Sequence, residues 1–337
     1  MTLHEEDLLT RFFVTGGAGF IGGHLVARLL QKPDAQVVVY DNFSSGRAWH
    51  LEAVETDARL RTLTGDLKDI GRLREAMAGM DVVFHLASNP DIARAVREPD
   101  VDFWEGTYLT QNVLEAMRQN GVPRLLYSSG SGVYGDTGAE PVVETHSPMR
   151  PISTYGASKL AGEALICAYC HMFDMHALAF RFANVVGPRQ THGVAYDFVL
   201  RLRRDPTQLQ ILGDGSQSKS YIHVDDVLDG MLLLLDEAKT SEVSETSEVF
   251  DVFNVATEDY VTVREIADLV IRQLGLSHVA YSFTGGDRGW KGDVPVVRFD
   301  TRKLRSRGWS NRRTSREALR ASIDALITDA KAGRLEK

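Results

Sequence analysis

A glycine-rich turn near the start of the chain constrains the fold more than any other feature. Residues 15–22 carry Gly16, Gly19 and Gly22 in a G-x-x-G-x-x-G spacing. The turn follows a short apolar run at 12–14 and precedes apolar residues at helical spacing, which predicts strand, tight turn and helix in that order. Such glycines let the backbone approach a pyrophosphate, and the helix start supplies free N–H groups for it. The segment therefore predicts a dinucleotide-binding unit.

Strand-like and helical patterns alternate along the rest of the chain. The predicted buried strands are residues 12–14, 37–40, 60–64, 82–86, 124–128, 177–182 and 250–255. Helical patterns lie between them, for example at 109–119, 155–172 and 263–274. Continuous apolar strands alternating with helices are typical of a parallel sheet covered on both faces. The predicted fold class is α/β, a Rossmann-type doubly wound parallel sheet with a smaller, mostly C-terminal α/β substrate domain.

Asp41 ends the second predicted strand, 19 residues after Gly22. A carboxylate at this place accepts hydrogen bonds from both hydroxyls of an adenosine ribose and repels a 2′-phosphate. The spacing therefore favours NAD over NADP as cofactor. The alternative is that Asp41 serves only as a turn or helix-cap residue.

Charge and cysteine content narrow the function classes. The chain of 337 residues has a net charge of −8, which argues against general binding to nucleic acid or to an anionic membrane. Only Cys167 and Cys170 occur, without the further cysteine or histidine ligands of a zinc site, so no metal is expected. No run of about 18 apolar residues and no signal-peptide layout is present, and a cytoplasmic location is expected.

Two local composition biases need an interpretation. Residues 298–320 hold nine Lys/Arg against two Asp/Glu, which indicates either a phosphate-facing surface or, the favoured reading, a solvated helix face. Residues 237–248 are polar and of low complexity, and a solvated loop is expected there.

Tyr155 and Lys159 form a candidate proton-transfer pair at the start of the predicted helix 155–172. Their i,i+4 spacing places both on one helix face. A phenol with its ordinary pKa near 10 is a poor base, but a neighbouring ammonium and a positive nicotinamide favour the phenolate. A Tyr-x-x-x-Lys spacing alone is usually structural, and the dinucleotide turn on the same chain gives it weight.

Together these motifs identify the chain as similar to the extended short-chain dehydrogenase/reductases, in the NAD-dependent epimerase/dehydratase family that acts on nucleotide sugars. The resemblance covers nearly the whole length. It rests on the segments 15–22, 41–46, 65–67, 85–88, 133–135, 155–159, 181–185, 187–190, 213–215 and 221–226.

The resemblance implies a role for each of a set of residues. The implied cofactor-binding residues are Gly16, Gly19, Phe20, Ile21, Gly22, Asp41, Asn42, Ser45, Gly46, Asp66, Leu67, Leu86, Ala87, Ser88, Tyr155, Lys159 and Phe182. The implied substrate-binding residues are Asn184, Arg189, Lys219 and Arg288, with Lys219 standing where relatives carry a phosphate-binding arginine.

The chain departs from the family pattern at two glycines. Gly130 stands where relatives carry the Ser or Thr that hydrogen-bonds the reacting sugar oxygen, and Ser129 or Ser131 is expected to substitute, with Ser131 favoured as the third catalytic residue. Family 4,6-dehydratases place an Asp-Glu pair just after that position, where this chain has Ser131 and Gly132. Gly106 replaces an Asn that relatives often carry. These glycines predict a roomier or rewired pocket.

The favoured function is a nucleotide-sugar 4-epimerase that uses NAD and a UDP-sugar through a transient 4-keto intermediate. The alternatives are a nucleotide-sugar dehydratase, for example by 5,6-elimination, and a non-catalytic NAD-binding protein. The predicted NAD-binding domain comprises residues 1–183 and about 221–256, and the nucleotide-sugar-binding domain about 184–220 and 257–337. Relatives often dimerise through the helices that match 109–119 and 155–172, so a homodimer is expected.

Overall fold

The computed structural model describes residues 9–240 and 249–335. The chain divides into two compact units. The first comprises residues 1–129, 158–180 and 242–252, and the second comprises 130–157, 181–241 and 253–337. The chain therefore passes between the units five times.

A seven-stranded sheet with the order β11-β6-β5-β4-β1-β2-β3 is the main architectural element. Its strands are β1 (Thr10–Thr15), β2 (Ala35–Asp41), β3 (Leu60–Thr64), β4 (Val82–His85), β5 (Arg124–Gly130), β6 (His176–Phe182) and β11 (Phe250–Val255). The sheet is parallel, with Phe13 opposite Val38 and Val83, and Val83 opposite Leu125. The prediction of a doubly wound parallel sheet is confirmed.

Helices lie between most consecutive strands of this sheet, as crossovers between parallel strands commonly do. The helices are α1 (Phe20–Leu29), α2 (Ile70–Met77), α3 (Tyr108–Asn120), α4 (Thr154–Phe173), α5 (Val194–Arg204), α6 (Val224–Thr240), α7 (Val263–Gln273), α8 (Arg302–Arg305) and α9 (Ser315–Lys331). Because α6 continues to Thr240, the predicted loop at 237–248 is wrong for its first four residues, and the remainder lies outside the described residues. In the part of the chain that the structure describes, no helix is both long and apolar enough to span a lipid bilayer.

Each unit has its own hydrophobic core. In the first unit, apolar side chains of the sheet such as Phe13, Val83 and Leu125 pack with α3 and α4. In the second unit, α5, α7 and α9 pack together around residues such as Phe198 and Leu319. Capping boxes begin α7 (Thr262 with Glu265) and α9 (Thr314 with Glu317), which satisfies the N–H groups at both helix starts.

Short ladders complete the second unit. They pair β7 (Asn184–Val186) with β10 (Tyr221–His223), β9 (Ser218–Lys219) with β12 (Val261–Thr262), and β8 (Gln208–Ile211) with β13 (Ala280–Phe283).

Candidate active site

The glycine turn of the first unit is shaped by contacts that exclude side chains. Gly16 has a φ of +70°, and a Cβ there would lie 2.8 Å from the backbone nitrogen of Ala87. A Cβ on Gly22 would lie 2.2 Å from the carbonyl oxygen of Gly16. No side chain caps the start of α1 at Gly19, and its first turn has no acidic residue. The turn therefore presents bare backbone and a helix start to an anion.

Asp41 lies beside this turn at the end of β2. Its carboxylate is buried and accepts hydrogen bonds from the N–H of Ala18 (3.0 Å) and the N–H of Phe43 (2.8 Å). Burial raises the pKa of Asp41, and the two backbone bonds oppose this rise. A Cβ on Gly46 would lie 2.8 Å from Asp41 Oδ1, so Gly46 leaves room at the carboxylate. Each carboxylate oxygen can accept a further bond, as a ribose hydroxyl requires.

The carboxyl ends of β3 and β4 supply the next predicted cofactor residues. Asn42 Nδ2 donates to Asp66 Oδ2 (3.2 Å), and Asn112 Nδ2 donates to the carbonyl of Leu67 (2.9 Å). The N–H of Leu86 donates to the carbonyl of Thr15 (3.2 Å), which ties the end of β4 to the glycine turn.

The predicted cofactor residues of the first unit thus follow four neighbouring strands. Those brought together are Gly16, Gly19, Phe20, Ile21, Gly22, Asp41, Asn42, Ser45, Gly46, Asp66, Leu67, Leu86, Ala87 and Ser88. The bare glycine cradle, the uncapped helix start and the carboxylate at the end of β2 together fit NAD. Phe182 is buried at the end of β6, in the second unit.

A buried histidine connects the glycine turn to α3. His85 Nδ1 lies 2.8 Å from Thr15 Oγ1, and His85 Nε2 lies 3.1 Å from Thr110 Oγ1. Burial, with a smaller contribution from the charge of Lys159, lowers the pKa of His85 to about 3. The imidazole is therefore neutral at physiological pH and serves as a hydrogen-bond bridge.

Lys159 is buried on α4 with a defined partner. Its ammonium donates to the carbonyl of Ser128 on β5 (2.8 Å) and lies 5.0 Å from the centroid of the Tyr127 ring. Burial lowers the pKa of Lys159 to about 8, while the carboxylates of Glu163 and Asp102 act in the opposite direction. Lys159 follows Tyr155 by one helical turn along α4, and a role of this pair in proton transfer stays a prediction.

Tyr155 is half-buried in the first turn of α4, four residues before Lys159. Gly130 has extended backbone, and a Cβ there would lie 4.0 Å from Tyr155 Cε1 with no closer neighbour. Ser131 is half-buried at the start of the turn Ser131–Val133, and Ser129 Oγ donates to Glu163 Oε1 (2.6 Å). The hydroxyl of Ser129 is thus engaged, and a catalytic role of Ser131 stays a prediction.

The other departure, Gly106, is explained by packing. A Cβ on Gly106 would lie 2.2 Å from Ser158 Oγ. That hydroxyl donates to the carbonyl of Asp102 (2.7 Å) and accepts from Thr107 Oγ1 (3.1 Å). The Ser158 hydroxyl therefore occupies the space next to Gly106, whereas the space next to Gly130, beside Tyr155, is open.

Two predicted phosphate-binding cations meet at one residue of the second unit, Asp293. Lys219 Nζ lies 2.6 Å from Asp293 Oδ1, and Arg288 Nη1 donates to the carbonyl of Asp293 (2.5 Å). Arg288 Nη2 also pairs with Asp136 (2.6 Å). Because Lys219 and Arg288 are far apart along the chain, their sequence positions do not predict that both contact Asp293.

The other two predicted substrate-binding residues, Asn184 and Arg189, lie with Lys219 in the segment 181–241 of the second unit. Asn184 begins β7 with an exposed side chain, and its N–H donates to the carbonyl of Ser220 (3.3 Å). Arg189 has a φ of +64°, and its backbone hydrogen-bonds the buried carboxylate of Asp329. The binding roles of Asn184, Arg189, Lys219 and Arg288 stay predictions.

The basic segment 298–320 is neutralised within the second unit. Six of its nine cations form ion pairs with carboxylates, which are Arg302–Asp300, Arg305–Glu258, Arg307–Glu237, Arg312–Asp229, Arg313–Asp225 and Arg316–Glu265. The Arg298 guanidinium lies 3.6 Å from the centroid of the Tyr260 ring. This pairing agrees with the favoured reading of a solvated surface and gives a phosphate-facing surface no support.

Sequence reasoning missed the two buried carboxylates near Lys159. Asp102 and Glu163 are 2% and 4% exposed. The signal available for Glu163 was its i,i+4 spacing from Lys159 on a predicted helix. Asp102 gave no local signal, because it approaches Lys159 from a segment 57 positions earlier in the chain.

Comparison with known proteins agrees with this geometry. The model of the NAD dependent epimerase/dehydratase family matches residues 12–256. A UDP-glucose 4-epimerase from Mycolicibacterium smegmatis is 38% identical over 230 residues, 66% of this chain and 72% of that protein.

Two solved structures are similar over nearly the whole chain. A UDP-galactose 4-epimerase is 38% identical with a TM-score of 0.82, covering 95% of this chain and 99% of that chain. The dTDP-glucose 4,6-dehydratase DesIV from Streptomyces venezuelae, solved with NAD bound, is 26% identical with a TM-score of 0.85. The match covers 96% of this chain and 98% of that chain.

These findings exclude the alternative of a mere binding module and establish NAD as the cofactor, since the family is one of NAD-dependent enzymes. From its glycine cradle, its sheet topology and these matches, the chain belongs to the NAD-dependent epimerase/dehydratase family.

Proposed function

We propose that the chain is an NAD-dependent nucleotide-sugar 4-epimerase whose substrate is a UDP-sugar. Similar proteins that bear epimerase names support the reaction class. Within the family, the choice between epimerisation and 4,6-dehydration depends on the residues next to Tyr155.

The observation that carries the proposal is that neither Ser131 nor Gly132 carries a carboxyl group, in a turn where Gly132 packs against Gly156. A Cβ on Gly156 would lie 2.3 Å from the carbonyl oxygen of Gly132, and a Cβ on Gly132 would lie 3.1 Å from Gly156 Cα. By the family resemblance, 4,6-dehydratases carry the second acid of their Asp-Glu pair at this position. This chain has Ser131 and Gly132 at these positions, so the usual acid and base for eliminating water are missing, and the tight contact of Gly132 with Gly156 disfavours a larger side chain there. Epimerisation needs neither.

In this reaction Tyr155 accepts the proton of the sugar 4-hydroxyl and later returns it. Moving a phenol pKa from about 10 to about 7 takes ~4 kcal/mol at about 1.4 kcal/mol per unit. The buried ammonium of Lys159, held by the Ser128 carbonyl, is positioned one turn along the helix to supply much of this stabilisation. NAD supplies the acceptor and donor of the hydride, so no net oxidation occurs.

The second unit carries the proposed diphosphate-binding residues. Lys219 and Arg288 present two cations beside Asp293, and the exposed amide of Asn184 adds a neutral donor. Arg189 is proposed as a fourth contact. An ammonium binds phosphate as a point charge, so Lys219 fixes the diphosphate less tightly than an arginine fork would.

The test is product analysis with a panel of UDP-, dTDP-, GDP- and CDP-sugars, followed by mass spectrometry and proton NMR. The expected product is an isomer of unchanged mass from a UDP-sugar. Tyr155→Phe is expected to abolish turnover while NAD binding is retained, and Tyr281→Phe, whose hydroxyl on β13 donates to Asp268, is the matched control. Full activity of Tyr155→Phe would refute the assigned role.

A dehydratase of another type is the second candidate, because the open space at Gly130 allows a rearranged sugar beside Tyr155. Loss of one water from the nucleotide sugar in the same assay would decide in its favour.

We further propose that residues 1–183 and about 221–256 bind NAD, that about 184–220 and 257–337 bind the nucleotide sugar, and that the protein is a cytoplasmic homodimer. Large apolar side chains are exposed in the turn before α3, namely Phe103 (51%) and Trp104 (45%), and at the end of α4, namely Met172 (69%) and Phe173 (37%). Such exposure is typical of an interaction surface. A monomeric mass in sedimentation equilibrium would refute the dimer.

A further inference from the structure

Two neighbouring residues of β5 hold two charged side chains of α4. The carbonyl of Ser128 accepts from Lys159 Nζ at 2.8 Å, and Ser129 Oγ donates to Glu163 Oε1 at 2.6 Å. Lys159 and Glu163 are one helical turn apart, and their exposed fractions are 3% and 4%. Neighbouring residues of the strand therefore hold a buried ammonium and a buried carboxylate that are one turn apart on α4.

Other titratable groups also face Lys159. They include Asp102, which accepts from Asn89 Nδ2 (2.9 Å), the neutral His85 on β4, and the ring of Tyr127 on β5. A buried carboxylate is costly unless a cation or hydrogen bonds compensate it. The proposed proton transfer uses Lys159 and leaves the presence of Glu163 unexplained.

We propose that Glu163 is a positioning residue, whose carboxylate, anchored by Ser129, keeps the buried Lys159 side chain protonated and directed at the Ser128 carbonyl. The link to Tyr155 rests on the proposed function, whereas the effect on Lys159 does not.

The physical reason is that the pKa of Lys159 lies only slightly above physiological pH. Burial already brings the pKa of Lys159 to about 8, with Glu163 the largest opposing influence. Removing an opposite charge from a low-dielectric site lowers the pKa of an ammonium further. Without Glu163, a large fraction of Lys159 is neutral near pH 7, and a neutral amine does not stabilise a phenolate.

The test measures the titration of Lys159 directly in the NAD-bound protein. The protein is labelled with [ε-13C]lysine, and the Lys159 signal is assigned by its absence in Lys159→Arg. Glu163→Gln keeps the shape and an oxygen for Ser129 but removes the charge, and Ser129→Ala keeps the charge but removes the hydrogen bond. We expect the midpoint of Lys159 to fall by about one unit or more in Glu163→Gln, and by much less in Ser129→Ala. An unchanged midpoint in Glu163→Gln overturns the proposal.

Glu163→Asp covers the case in which Glu163→Gln does not fold. It retains the charge, so a midpoint close to the wild-type value supports the proposal, and a fall of about one unit or more contradicts it.

Catalysis gives a second readout. In Glu163→Gln the alkaline limb of the kcat profile is expected to move to lower pH by the same amount, with KM retained, whereas a merely structural role would leave the limb in place. If the wild-type protein epimerises no nucleotide sugar, the proposed function fails, and the NMR titration still decides the role of Glu163.

Discussion

Gly106 offers a sharp test of how this site is packed. It lies within a π-helical turn, Phe103–Thr107, that leads into α3. Gly106→Ala places a methyl group 2.2 Å from Ser158 Oγ and 3.4 Å from Ser158 Cβ. The clash is therefore with the hydroxyl alone. Overpacking of this kind costs ~1–3 kcal/mol, partly offset by the ~0.5–1 kcal/mol that Ala gains over Gly inside a helix.

The expected net effect of Gly106→Ala is a loss of about 1–2 kcal/mol, and a unit of this size loses about 2–4 °C in melting temperature per kcal/mol. Ser158→Ala removes the two hydrogen bonds of the hydroxyl and costs about 1 kcal/mol by itself. In that background the added methyl meets only a carbon at ordinary contact distance, so Gly106→Ala is expected to stabilise by ~0.5–1 kcal/mol.

The assay is urea denaturation of the wild type, both single variants and the double variant, combined into a double-mutant cycle. A coupling of about 2 kcal/mol in favour of the double variant is expected. Equal destabilisation by Gly106→Ala in both backgrounds would show that Ser158 does not explain the glycine.

Three further predictions follow from the geometry. Gly22→Ala is expected to abolish NAD binding in calorimetry, because its Cβ would meet the Gly16 carbonyl at 2.2 Å, and retained affinity would contradict the cradle described above. Lowering the pH from about 6.5 to about 3 is expected to destabilise the fold by up to about 1.4 kcal/mol per unit through His85. In this pH range the imidazole of His85 binds a proton in the unfolded chain but not in the folded protein, where its pKa is about 3. His85→Gln should remove this part of the acid sensitivity, and a variant whose stability falls with pH as steeply as that of the wild type would refute the prediction. Lys219→Ala is expected to weaken UDP binding about tenfold, near 1.4 kcal/mol, relative to the control Lys303→Ala, and an equal affinity of the two variants would exclude the proposed phosphate contact.

The sequence predicted features that depend on local pattern. The apolar runs and the glycine turn predicted a doubly wound parallel sheet, since buried parallel strands and a Gly-rich turn leave local signatures. It also predicted that Lys159 follows Tyr155 by one helical turn. These are short-range properties of the chain.

Contacts between distant segments were beyond sequence reasoning. Ser158 fills the space at Gly106 from 52 positions away, and no local pattern predicts that. The basic segment 298–320 is compensated by carboxylates at 225–265, so composition alone overstated its positive charge. The engagement of Ser129 by Glu163 likewise depends on how α4 packs on β5.

The position of β11 has a consequence for how the chain folds while it is being translated. In the sheet β11 is the outermost strand, next to β6, yet about 70 residues separate the two along the chain. While α5, β7–β10 and α6 are being translated, the nascent chain has β6 as an unpaired edge, and such edges promote association with other chains. Slow translation between residues 182 and 250 would therefore prolong an aggregation-prone state, and a chaperone that covers β6 during this interval would raise the yield of folded enzyme.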